Sequence, residues 1–162
     1  SLGGAIALAF ALRYRVGLAG LALVGAGAQL RVNTALLNGL LTDFVATSAQ
    51  LIDWMYHPDA PANVRQQALA QLRTNDPQTV YQDFQACSTF DVRAQVASLA
   101  LPTLIICGVA DKMTPVSLSA ALHQAIAGSQ LQLVEGAGHM VMVEQPAVVT
   151  ALFRAWMTEL TA

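Results

Sequence analysis

Three short apolar runs constrain this chain more than any other feature. Leu21-Ala22-Leu23-Val24 lies between Gly20 and Gly25, Leu104-Ile105-Ile106-Cys107 follows Pro102, and Leu131-Gln132-Leu133-Val134 comes last. Runs this short and this apolar suit strands buried on both faces of a helix-covered parallel sheet. Helical patterning fills Gly3 to Arg15, Val116 to Ala127 and the end of the chain, where Pro146 leads to Phe153, Trp156 and Met157. The order is helix, strand, insert, strand, helix, strand, helix. It predicts an α/β fold with three parallel strands.

The insert runs from about Ala28 to Ala97. Leu37, Leu41, Phe44, Leu51, Ile52 and Met55 roughly keep a helical spacing. Asp59-Ala60-Pro61 and Asp76-Pro77 break the pattern, the latter as an N-cap followed by a first-turn proline. Two more helices are expected at about 63–73 and 77–87. Ligands of open α/β sheets bind beyond the carboxyl ends of the strands, so a helical insert there is most simply a cap. The predicted division is therefore a core of residues 1–27 and 98–162 with a helical cap at 28–97. The cap aromatics Phe44, Trp54, Tyr56, Tyr81, Phe84 and Phe90 are expected in its core, some lining an apolar pocket.

Apolar residues make up 55% of the 162 positions and charged ones 11%, against roughly 25% charged in an ordinary soluble domain. Such a chain needs a large interior or a covering partner. A net charge of −2 with no basic run argues against nucleic acid or an anionic membrane as partner. Arg13 and Arg15 follow the apolar start instead of preceding it, opposite to a signal peptide. No run reaches the roughly 18 apolar residues of a membrane helix. Cys87 and Cys107 have neither metal-ligand nor disulfide spacing; Cys107 reads as a small buried hydrophobe, and a reduced, cytoplasmic setting fits. No cofactor or metal motif is present. Gly25-Ala26-Gly27 begins like a dinucleotide fingerprint, but Leu30 stands where the third glycine should be.

Two polar residues sit where chemistry is expected. Asp111 follows the second strand, past Gly108, where a carboxylate can hold an imidazole in one tautomer and stabilise its protonated form. Taken alone, it could equally be a turn or helix-capping aspartate, since Thr114-Pro115 starts a helix just afterwards. His139, in Gly136-Ala137-Gly138-His139, follows the third strand, and its ordinary pKa near 6.5 suits proton transfer at neutral pH. With His139 so placed, the catalytic reading of Asp111 prevails. His123 reads as a helix-surface residue. His57, in Tyr56-His57-Pro58, ends a cap helix and is either structural or pocket-lining. The remaining aspartates, Asp43, Asp53, Asp59, Asp76, Asp83 and Asp91, fit capping or solvated positions.

Ser1-Leu2-Gly3-Gly4, Pro102 to Gly108 with Asp111, and Gly136 to His139 together resemble the α/β-hydrolase superfamily, whose triad runs Ser, Asp, His along the chain. Glu144-Gln145-Pro146 is similar to the start of that family's last helix. The resemblance covers nearly the whole sequence. It implies an eight-stranded, mostly parallel sheet whose last three strands are here, with the strands before Ser1 in a separate or preceding segment. It further implies Ser1 as nucleophile at a strand-to-helix turn, Asp111 as orienting acid and His139 as base. The Leu2 amide would be one oxyanion donor, aided by the helix dipole, and the second donor would lie on an earlier loop.

The function so implied is a serine hydrolase cleaving a carboxylic ester or related acyl bond of a small apolar molecule. A C–C bond hydrolase, an enol-lactonase or a perhydrolase would use the same fold. A non-catalytic small-molecule-binding member is the alternative from a different class, and one of two complementing pieces is a third. Dehalogenases and epoxide hydrolases of this fold carry aspartate where Ser1 stands.

Overall fold

The structure is a computed structural model and describes residues 1–14 and 17–160. Its first helix, α1 (Leu2–Arg13), leads into β1 (Leu21–Val24). Four helices follow: α2 (Thr34–Thr42), α3 (Phe44–Met55), α4 (Ala62–Arg73) and α5 (Pro77–Thr89). A 3-10 turn at Val96–Ser98 then precedes β2 (Thr103–Gly108), α6 (Val116–Ala125), β3 (Gln130–Val134), the short α7 (Val141–Glu144) and α8 (Pro146–Leu160). The strands form one parallel sheet in the order β1-β2-β3, with Leu21 opposite Thr103 and Ile105 opposite Leu131.

Central β2 is buried along its whole length, and its alternation divides the interior into two layers. Ile105 points into a cluster with Leu8 of α1, Leu23, Leu122 and Ile126. Leu104 and Ile106 point the other way, against Val141, Val149 and Trp156. Successive strand residues face opposite sides, so one strand glues helices to both faces, each buried Ile or Leu contributing about 1.5–3 kcal/mol.

The outer strands depart from the expectation of burial on both faces. In β1 only Leu21 and Leu23 are buried; in β3, Leu133 is 48% exposed and only Val134 is buried. Among the described residues each pairs with β2 alone. Helix α1 spans Leu2 to Arg13, and Arg15, where the sequence pattern ended, lies outside the described residues. Helix α6 stops at Ala125, short of the expected Ala127, because Ile126 turns extended and Gly128 adopts a positive φ.

The helices of the insert share a cluster of their own, in which Leu36, Leu40, Leu51 and Val80 are buried. The phase of α2 differs from the expected one: Leu36 and Leu40 face inward, while Leu41 is 49% exposed. Asn33, Asp43 and Asp76 cap α2, α3 and α5 through their side chains, satisfying first-turn amides. Phe44, Trp54, Tyr81 and Phe84 join the cluster, whereas Phe90 packs under it against the sheet-side clusters. At its base the two ends of the insert run side by side. Val92 N–H donates to Ala28 O at 2.8 Å and Leu30 N–H to Phe90 O at 3.2 Å. In α8, Val149 and Trp156 are buried and Met157, expected inward, is exposed; Leu152, Phe153 and Leu160 complete the inner face. No helix among the described residues is long and apolar enough to cross a membrane.

Candidate active site

The loops after β2 and β3 meet at the carboxyl end of the sheet. Val109 N–H donates to Val134 O, and Ala110 N–H to Ala137 O, at 2.9 and 3.0 Å. At Gly108 the two loops come so close that an added Cβ would strike the carbonyls of Ala137 and Gly138. Only glycine permits that approach.

This crossing brings Asp111 and His139 together. Asp111 Oδ1 accepts the N–H groups of Met113 and Thr114, both at 2.8 Å. Its Oδ2 accepts the Thr114 hydroxyl at 2.8 Å and lies 2.8 Å from His139 Nδ1. One oxygen of Asp111 thus closes the turn ahead of α6 and the other faces the ring; α6 itself has Pro115 at its N-cap and no side-chain cap. The Asp111 side chain is fully buried and that of His139 is 7% exposed. Burial pushes the Asp111 carboxyl up, but the hydrogen bond and charge of His139, with the Thr114 bonds, outweigh it and hold the group below the usual carboxylate range. With Nδ1 engaged by Asp111 and within 3.2 Å of Thr114 Oγ1, Nε2 is the nitrogen left for a reacting group.

Ser1 stands at the N-cap of α1, and its hydroxyl makes no cap hydrogen bond. Gly4 lies against Ala26, where an added Cβ would sit 2.6 Å from the alanine methyl. The neighbouring Gly25, at φ +54°, lies against the His139 ring; its Cβ would fall 3.1 Å from Cε1 and Nδ1 and 3.5 Å from Asp111 Oδ2. The start of α1 is thus packed onto the turn that floors the Asp111–His139 pair. No hydrogen bond joins the Ser1 hydroxyl to the imidazole among the described residues. Leu2 is the first residue of α1, so its N–H has no partner within the helix.

The other histidines lie apart from this pair. His123 is exposed, with Nδ1 2.9 Å from Ser129 Oγ. His57 accepts the Asp59 N–H through Nδ1 at 3.1 Å. Its backbone, however, leads to a residue whose part the sequence reading missed. Glu144 Oε1 accepts the His57 N–H at 2.6 Å and Oε2 accepts the Gly138 N–H at 2.8 Å. Met140 N–H also donates to Met55 O at 3.1 Å. The end of α3 is therefore bound to the loop that carries His139. Burial and the nearby Glu144 charge push the Tyr56 phenol up. The Glu-Gln-Pro sequence ahead of α8 was the available signal, and it marked only a helix start. Among the described residues, no group of three His, Cys, Asp or Glu side chains is arranged to hold a metal ion. Both cysteines are buried free thiols whose pKa values burial pushes up.

Comparison with known proteins places the chain in a family. The chain is 30% identical over 95 residues to the 3-oxoadipate enol-lactonase 1 of Acinetobacter baylyi, covering 59% of this chain and 35% of that protein. It is 25% identical over 168 residues to a pimeloyl-[acyl-carrier protein] methyl ester esterase of Neisseria meningitidis, covering 95% of this chain and 65% of that one. The solved structure of a thermophilic esterase superposes with a TM-score of 0.90 at 27% identity, covering 99% of this chain and 64% of that one. The chain thus spans less than two thirds of the length of each of these relatives. Residues 1–146 match the family described as serine aminopeptidase, S33. With a match over most of its length, and a parallel sheet flanked by helices like those of its structural relatives, the chain belongs to this serine aminopeptidase S33 family, within the α/β-hydrolase superfamily.

Proposed function

We propose that this chain carries the Ser1–Asp111–His139 triad of a serine hydrolase that cleaves a carboxylic ester or related acyl bond of a small molecule. The observation that carries the reading is the buried 2.8 Å contact between Asp111 Oδ2 and His139 Nδ1 beside the turn on which α1 begins. His139 Nε2 takes the Ser1 proton as the hydroxyl attacks the carbonyl carbon. The Leu2 N–H donates to the tetrahedral oxyanion, a contact typically worth about 2.7–4 kcal/mol. His139 then returns the proton to the leaving alcohol, and an activated water releases the acid from the acyl-enzyme. No cofactor enters these steps.

The rest of the sheet and the second oxyanion donor belong, in this reading, to sequence that precedes Ser1. Helices α2–α5 act as the cap over the strand ends. The relatives support ester chemistry by name, since an enol-lactonase, a methyl ester esterase and a thermophilic esterase all open an ester bond. The free, buried Cys87 and Cys107 support a reducing, cytoplasmic setting. In the full-length protein, Ser1→Ala should reduce p-nitrophenyl ester turnover to background and abolish fluorophosphonate labelling. Activity like that of the unmodified protein would refute the assignment.

A further inference from the structure

Beside the acid loop, α2, α3 and α5 flank a half-open cavity of about 190 Å³. Its apolar wall includes Leu36, Trp54, Phe84 and Met113, while Arg31 and Lys112 supply two cations and no carboxylate lines it. Lys112 enters no ion pair among the described residues, and Arg31 is tied only to neutral Gln29, at 3.3 Å, with Asp91 within electrostatic reach. The cavity adjoins the acid loop and the cluster at the start of α1. Met113, on its wall, donates its N–H to Asp111, and Val32, also lining it, packs in the cluster that contains Leu2.

Small-molecule sites usually combine an apolar lining with a few polar groups that fix orientation, in volumes of roughly 300–1,000 Å³ for drug-sized ligands. A smaller cavity suits a chain of a few carbons. Two cations without an acidic neighbour on the wall favour an anion at its end, which either side chain can hold by a charge-assisted hydrogen bond. Resting on the hydrolase reading above, we infer that this cavity holds a short acyl chain ending in a free carboxylate, so that the preferred substrate is a half-ester of a dicarboxylic acid. Lys112 and Arg31 are then the specificity-determining residues.

The test compares two p-nitrophenyl esters of equal acyl length, the valerate and the glutarate half-ester, in the full-length protein. The expected kcat/KM is about tenfold or more higher for the half-ester. That ratio should fall at least about fivefold in Lys112→Ala and in Arg31→Ala, with Lys112→Arg restoring most of it. Equal turnover of the two esters, or a preference that survives both alanine variants, overturns the inference and leaves the hydrolase reading standing. Glutarate alone should raise the melting temperature, and Lys112→Ala should diminish that shift. If neither ester is cleaved but this shift behaves as stated, the anion site stands and the hydrolase reading fails; with neither cleavage nor shift, both fall.

Discussion

Glu144 holds Gly138, the residue before His139, by a 2.8 Å hydrogen bond from the Gly138 N–H to Oε2. Its other oxygen binds the His57 N–H, so one carboxylate spans the imidazole loop and the end of α3. Glu144→Ala leaves two half-buried amides without acceptors. The expected loss, read from urea denaturation, is about 2 kcal/mol. Misplacing the ring should also lower kcat by about tenfold or more, with little change in KM. Glu144→Gln keeps one acceptor oxygen and should fall between the two proteins in both measurements.

Asp111→Asn removes the charge that faces His139 and leaves the side-chain shape. A fall in kcat of about 10³–10⁴ is expected, as for the orienting acid of serine proteases. The same residue sets part of the acid stability. Its folded pKa lies below the ordinary carboxylate value, so the stabilisation is complete above that value, about 3.9. It declines as pH falls from there and vanishes once pH drops below the lowered folded value. Urea midpoints followed from pH 7 downward should show a flatter acid limb for Asp111→Asn than for the unmodified protein.

Gly108→Ala would drive a methyl group into the carbonyls of Ala137 and Gly138. Backbone cannot yield there as the end of a flexible side chain would. Overpacking of this kind costs about 1–3 kcal/mol or more. The denaturation midpoint should drop, and the displaced His139 loop should take activity down with it. Unchanged stability would mean that the two loops separate freely.

The three strands were readable because each run is short, apolar and bounded by Gly, Pro or a charge, and because β2 is buried throughout. Asp111 and His139 stood out for a related reason: both fall on glycine-marked loops just past a strand. The inward face of α2 was harder to read. Leu36-Leu37 and Leu40-Leu41 are adjacent pairs, so either phase satisfies the helical period, and only packing on Leu51 and Val80 selects Leu36 and Leu40. Trp156 and Met157 pose the same choice in α8, settled by the tryptophan's fit against Leu104 and Ile106. The tie from Glu144 to the end of α3 was unreadable in principle. Glu144 and His57 lie 87 positions apart, and no local pattern encodes where a distant helix ends.

The adjacent entry and exit of the helical insert, clasped by the Ala28–Val92 and Leu30–Phe90 bonds, give it a narrow neck. Residues can be added to or removed from α2, α4 and α5 while both anchor points, and the bonds from the end of α3 to the His139 loop, stay where they are. The apolar faces of these helices can therefore be remodelled with the loops bearing Asp111 and His139 left in place. In the proposed hydrolase, selectivity and proton transfer are, to that extent, separately adjustable.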